Sequence, residues 1–152
     1  MQNNVITDSL NPLFQEAFKA YFDELSVSIK DWDGLFQEMK DQPGNVVILK
    51  LADNNRVIGF IQIKIDTATH WFFEETLGFI REFWVAKPLR GQGYGTALLH
   101  AAEDYFVENG AYKAILTTDT APDFYHKNGY VRDVSYVAKN KDEVFTKLLR
   151  GF

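Results

Sequence analysis

Arg90-Gly91-Gln92-Gly93-Tyr94-Gly95-Thr96 stands between a hydrophobic strand pattern, Phe79-Ile80-Arg81-Glu82-Phe83-Trp84-Val85, and an amphipathic helix pattern opening near Gly91. Glycines at alternate positions let the backbone approach a bulky anion. The unpaired N–H groups of a helix start, at the positive end of its dipole, point at phosphate oxygens. The run reads as a pyrophosphate cradle. Two further side chains offer proton chemistry. Glu82 is an isolated carboxylate in an otherwise apolar strand shared only with Arg81; it suits a general base, direct or through a water, or else a Glu–Arg edge pair. Tyr125 carries a phenol able to donate a proton, or is a core aromatic beside Phe124 and Tyr130.

Known phosphate cradles differ in spacing. A P-loop needs Gly-Lys-Ser/Thr for phosphate and magnesium, and no such triplet occurs; a dinucleotide fingerprint needs G-x-G-x-x-G, and Thr96 stands where its third glycine belongs. What remains is Arg-x-x-Gly-x-Gly, made by Arg90, Gly93 and Gly95 after a strand ending at Val85 and a short connection with Pro88. This run resembles the signature of the GNAT superfamily of acyl-CoA-dependent N-acyltransferases. Downstream, Ala121-Pro122-Asp123-Phe124-Tyr125-His126-Lys127-Asn128-Gly129-Tyr130 resembles that superfamily's A-x-x-x-Tyr-x-x-x-Gly-Phe segment. The two stretches cover residues 79–131, and the order of elements extends the likeness more loosely over the chain. No subfamily is assignable.

The resemblance implies an α/β (α+β) fold, a mixed, mostly antiparallel sheet with a splayed central parallel strand pair, flanked by helices. It implies acetyl-CoA as co-substrate. Backbone N–H groups of Gln92, Gly93, Tyr94, Gly95 and Thr96 would hold the CoA pyrophosphate, with Gly91 in the loop and Arg90 nearby. Amides at Trp84 and Val85, freed where the strand bulges, would pair with the pantetheine arm and polarise the thioester carbonyl. Tyr125 would protonate the departing thiolate, since a phenol with a pKa of about 10 can serve a thiol near 8.5. Glu82 would take the proton of the attacking ammonium. Thr118 stands where the family often has an asparagine that contacts the CoA arm; threonine is shorter and still forms hydrogen bonds. The implied activity is direct transfer of an acetyl group to a primary amine of a small, cationic acceptor. The alternatives are a CoA-binding sensor or adaptor without turnover, and an enzyme acting on a protein amine. The first two helices and residues 66–78, with Trp71, Phe72, Phe73, Glu74 and Glu75, would bound the acceptor, or those same residues form a homodimer surface.

The composition is consistent with this. At 152 residues the chain suits one N-acetyltransferase domain over 1–152, able to bury about 70% of its unfolded surface. The 46% hydrophobic and 24% charged content is ordinary, whereas 15% aromatic suits a packed core and a pocket wall. A net charge of −5 argues against sequence-independent nucleic-acid binding and mildly favours a cationic substrate. Met1-Gln2-Asn3-Asn4 lacks the regions of a signal peptide and no apolar run would span a bilayer, so a soluble, cytoplasmic protein without membrane partners is expected. Zero cysteines exclude disulfides, thiolate metal sites and an acyl-cysteine intermediate. His70, His100 and His126 show no metal-ligand spacing, so no metal is expected, and no G-x-S-x-G elbow supports a serine hydrolase.

The elements that must position these groups follow from periodicity. A short strand around Val5-Ile6-Thr7 precedes Asn11, a helix N-cap with Pro12 at the first position. Leu13, Phe14, Ala17, Phe18, Tyr21, Phe22 and Leu25 then recur at helical spacing, predicting a helix to Leu25–Lys30, with a shorter one over Trp32–Met39. Residues 46–51 and 56–65 read as a hairpin about Ala52-Asp53-Asn54-Asn55, and 66–77 as a less regular link. The helix after the glycines stops at Asn109-Gly110. Ala114-Ile115-Leu116-Thr117 reads as a buried parallel strand. Periodicity leaves residues 144–149, after a turn at Asn140-Lys141-Asp142, open between helix and strand; the resemblance implies strand, in a final antiparallel pair with Tyr130–Val137.

Overall fold

The computed structural model describes residues 3–118 and 120–149. In chain order they form β1 (Asn3–Thr7), α1 (Pro12–Glu24), α2 (Trp32–Asp41), β2 (Asn45–Leu51), β3 (Val57–His70) and β4 (Phe73–Val85). A 3-10 turn at Lys87–Leu89 leads to α3 (Tyr94–Glu108), β5 (Lys113–Thr117), α4 (Pro122–Lys127), β6 (Val131–Arg132) and β7 (Val144–Leu148). The strands make one sheet in the order β1-β2-β3-β4-β5-β7-β6, flanked by helices. It is mixed and mostly antiparallel, and its parallel pair is β4 with β5. That parallel ladder runs only from Leu77↔Lys113 to Phe79↔Ile115, whereas β4 continues to Val85.

Contacts gather into two compact units whose boundaries fall inside β3, β4 and α3. One runs to Lys64 and resumes over Glu82–Ala102; the other takes Ile65–Arg81 and continues from Glu103.

In the first unit, the Asn11 side chain accepts from Leu13 N at 2.8 Å and starts α1, with Pro12 at the position where a missing N–H costs nothing. Phe14, Ala17 and Phe18 then fall on the buried face. They meet Phe36 of α2 and Phe60 of β3 in an aromatic core completed by Val47, Leu49 and Leu51. The Phe14 and Phe60 rings lie edge to face with centroids 5.1 Å apart. Each fully buried ring contributes roughly 2–3 kcal/mol of transfer free energy.

In the second unit, Leu77, Ile115 and Val144 from three adjacent strands make a core covered by Phe79, Tyr136 and Ala138. Gly78 lets α3 press on β4: a Cβ there would lie 2.4 Å from the Phe106 ring. A buried polar network sits in the same unit. Tyr130 Oη donates to Glu103 Oε2 at 2.7 Å, and Lys147 Nζ donates to Glu103 Oε1 at 3.0 Å.

The main departure from the sequence reading is residues 66–77, which are not an irregular link. They are the facing arms of a long hairpin, β3 and β4, joined through Trp71-Phe72. Asp66 to Phe73 mixes polar and apolar residues on arms that are largely exposed, so no alternation marks it as strand. The Thr67 and Thr76 hydroxyls, 2.8 Å apart, tie the arms together. Two smaller differences have local causes. α1 ends at Glu24 because Ser26 turns left-handed, with φ 57°. The first strand of the closing pair shrinks to Val131–Arg132 because Asp133 bends the chain, accepting from Ser135 N at 3.0 Å and from Thr146 Oγ1 at 3.0 Å.

Candidate active site

In the first unit, β4 delivers Glu82, Trp84 and Val85, and β3 holds its end in place. Ala86 N donates to Ile58 O at 2.8 Å. Gly59 permits the contact, since a Cβ there would sit 2.5 Å from the Trp84 carbonyl oxygen and 3.1 Å from Val85 Cα. Beyond the 3-10 turn, Gly91 and Gly93 adopt φ of +80° and +88°, the left-handed region that favours glycine. A Cβ at either would meet nothing within 4 Å, so the space over the loop is open. Ala97 N donates to Gly93 O at 3.1 Å and so begins α3. The first-turn amides precede any helical acceptor, Gly93 has no side chain to cap them, and no acidic residue stands in the first turn. The loop thus presents N–H donors and a dipole to an anion, as a pyrophosphate requires.

Arg90 enters this cluster in a way the motif does not reveal. Its Nε donates to Val85 O at 2.9 Å, and its Nη2 donates to Glu24 Oε2 at 2.6 Å. The other Glu24 oxygen accepts from Trp84 Nε1 at 3.0 Å. Burial pushes the Glu24 carboxyl up, but hydrogen bonds from Arg90 and Trp84, with the charges of Arg90 and Lys87, outweigh it and hold the group below its usual range. Arg90 therefore straps the strand end to α1. Glu82 is half-buried, and its carboxylate takes a hydrogen bond from Tyr21 Oη at 2.6 Å.

Tyr125 and Thr118 belong to the second unit. Tyr125 is 8% exposed on α4, and burial pushes its phenol up to about 12. Its ring packs edge to face on Tyr130 at 5.7 Å and on Phe124 at 5.2 Å. The Thr118 Oγ1 accepts from Ala121 N at 3.1 Å and Thr120 N at 3.4 Å, shaping the loop into α4 and leaving its own proton to donate. Trp71 and Phe72 are 98% and 93% exposed at the hairpin tip, and Glu75 accepts from Tyr112 Oη at 2.8 Å.

Glu82, Trp84, Val85, Arg90 and the residue 91–96 loop all lie in the first unit, where Arg90 is bonded to Val85 and, through Glu24, linked to Trp84, whereas Thr118 and Tyr125 lie in the second. The residues missed are Tyr21 and Glu24. One clue was available: Tyr21 alone put a polar tip into an apolar helix stripe, and a buried hydroxyl needs a partner.

Comparison with known proteins agrees with this geometry. An uncharacterized N-acetyltransferase of Bacillus subtilis, YhfO, is 32% identical over 95 residues, which is 60% of this chain and 62% of that protein. The match thus spans under two thirds of the relative's length. A predicted acetyltransferase from Clostridium acetobutylicum, solved with acetyl-CoA, superposes with a TM-score of 0.75 at 17% identity over 91% of this chain and 95% of that one. The NatC complex bound to Gag peptide and CoA has a chain that superposes with a TM-score of 0.70 at 18% identity over 97% and 98%. The pattern of the acetyltransferase (GNAT) family matches residues 5–130, and with most of its length so matched the chain belongs to that family.

Proposed function

We propose that residues 1–152 act as a single acetyltransferase domain that moves an acetyl group from acetyl-CoA to a primary amine of a small cationic acceptor. The observation that carries this reading is the residue 90–96 loop, with two glycines at positive φ, open space where their side chains would be, and a helix start whose first-turn amides precede any helical acceptor. Those amides would hold the pyrophosphate. Acetyl-CoA supplies the activated acyl group. Trp84 and Val85 would offer backbone N–H groups to the thioester oxygen. Glu82 accepts a proton from the ammonium, and the freed amine attacks the carbonyl carbon. The C–N bond forms, the C–S bond breaks, Tyr125 gives its proton to the sulfur, and the second proton shed by the nitrogen as it becomes an amide restores the phenol. The net charge of −5 and the Glu82 carboxylate favour a cationic acceptor. A peptide amine is the second reading, supported by the fold shared with a chain of the NatC complex bound to Gag peptide and CoA.

Calorimetry with acetyl-CoA and a screen of small amines and peptides, read as free thiol release, test the proposal together. Binding should be strong in the wild type and weakened in Gly93→Ala, whose extra methyl meets no protein atom and costs folding only about 1 kcal/mol of φ strain. Undiminished affinity in that variant removes the loop from the site. Turnover of peptides alone replaces the small acceptor with a protein one, and binding without thiol release supports a sensor.

A further inference from the structure

Glu82 is offered above as the base, and the structure gives its carboxylate a fixed neighbour. Tyr21 lies in the last turns of α1, its ring wedged among Phe18 at 6.0 Å, Phe22 at 5.6 Å and Phe60 at 5.9 Å. From that socket its hydroxyl reaches Glu82 Oε2 at 2.6 Å. Against a carboxylate the phenol is the donor, because an ionised carboxylate has only acceptor oxygens. Oε2 is therefore occupied, and Oε1 is the oxygen with capacity for another proton. Terminal carboxylate torsions are broad and roughly two-fold when nothing fixes them. One turn on, Glu24 binds Trp84 Nε1 and Arg90 Nη2 at 3.0 and 2.6 Å. Residues 21 and 24 share a helix face at i, i+3, and residues 82 and 84 share a strand face at i, i+2. Two spacings of different period meet in two pairs of contacts, which fixes α1 against β4 both along and around its axis.

We infer that Tyr21 is a positioning residue for proton transfer, holding the Glu82 carboxylate so that one chosen oxygen faces the acceptor ammonium. This rests on the reading of Glu82 as the base. In this role Tyr21 acts through Glu82 rather than on the substrate.

A double-mutant cycle over wild type, Tyr21→Phe, Glu82→Gln and the double variant tests it, using the best acceptor from the amine screen. Tyr21→Phe keeps the ring and removes one oxygen. It should lower kcat about tenfold, with the acceptor KM and the acetyl-CoA affinity changed less than about twofold, because the lost interaction serves the transition state. In the Glu82→Gln background the same change should alter kcat less than about twofold, since nothing is left to orient. Equal losses in both backgrounds, or an unaltered kcat in Tyr21→Phe beside a slowed Glu82→Gln, overturn the positioning role and leave the base assignment standing. A Glu82→Gln enzyme as fast as the wild type overturns the base assignment itself, and the role of Tyr21 with it. Melting curves for all four proteins separate these effects from loss of folded enzyme.

Discussion

The role proposed for Tyr125 carries a cost in its environment. With its phenol pushed up to about 12 by burial, it keeps its proton at every working pH and is always in the donating form, though as a weaker acid than a free tyrosine. Tyr125→Phe should lower kcat about 10²-fold while acetyl-CoA affinity stays level; an unaltered rate, where chemistry limits turnover, removes Tyr125 from the mechanism. The same burial predicts alkaline lability. The folded state holds this proton up to about pH 12, whereas an unfolded tyrosine releases it near 10.0. The stabilisation is complete below pH 10 and is lost as pH rises through the folded value, a loss of about 3 kcal/mol. Denaturant titrations across that window should show the decline, and Tyr125→Phe should shrink it; an equal decline in the variant would assign it to other groups. Tyr125 could be singled out as a candidate from its place in a motif. Glu24 could not, because an acidic residue at the polar edge of an amphipathic helix looks like any solvated one, and only the arrival of Trp84 and Arg90 gives it work.

At the level of elements, two glycines allow close approach for different purposes, and substitution should separate them. Gly78→Ala drives a methyl into the Phe106 ring and should cost about 1–3 kcal/mol of stability with little change in acetyl-CoA affinity, since both residues belong to the second unit and the loop to the first. Gly59→Ala meets the backbone of Trp84 and Val85, which cannot give as a side chain can. It should lower kcat/KM by up to about 10²-fold, the scale of an ångström misplacement of a reacting group. Melting curves with steady-state kinetics on both variants check this, and matched kinetic losses would refute the division. Helix starts, helix stops and the buried strand β5 were legible because caps and periodicity are local signals: Asn11 before Pro12, Gly110 after α3, the apolar run into Thr117. The arms of the β3–β4 hairpin were not legible. Their strands are fixed by pairing with each other, and an exposed ribbon carries no alternation to betray it.

For the molecule as a whole, the net charge of −5 makes a prediction about rate. If it draws cationic acceptors, kcat/KM for an amine cation should fall as salt shortens the Debye length from about 10 Å at 0.1 M to about 3 Å at 1 M. A neutral isostere should be indifferent, and parallel slopes for the two would refute steering. Among the described residues no helix is long and apolar enough to cross a membrane. The placement of the three tryptophans has a practical consequence. Trp71 stands 98% in solvent at the hairpin tip, Trp32 stacks on Phe36 at 5.6 Å in the aromatic core, and Trp84 gives its indole proton to Glu24. A collisional quencher should therefore silence Trp71 first, leaving a blue-shifted emission in which Trp84 reports on the end of β4. The chain carries its own optical probe of the end of β4, readable without a label once Trp71 and Trp32 are replaced.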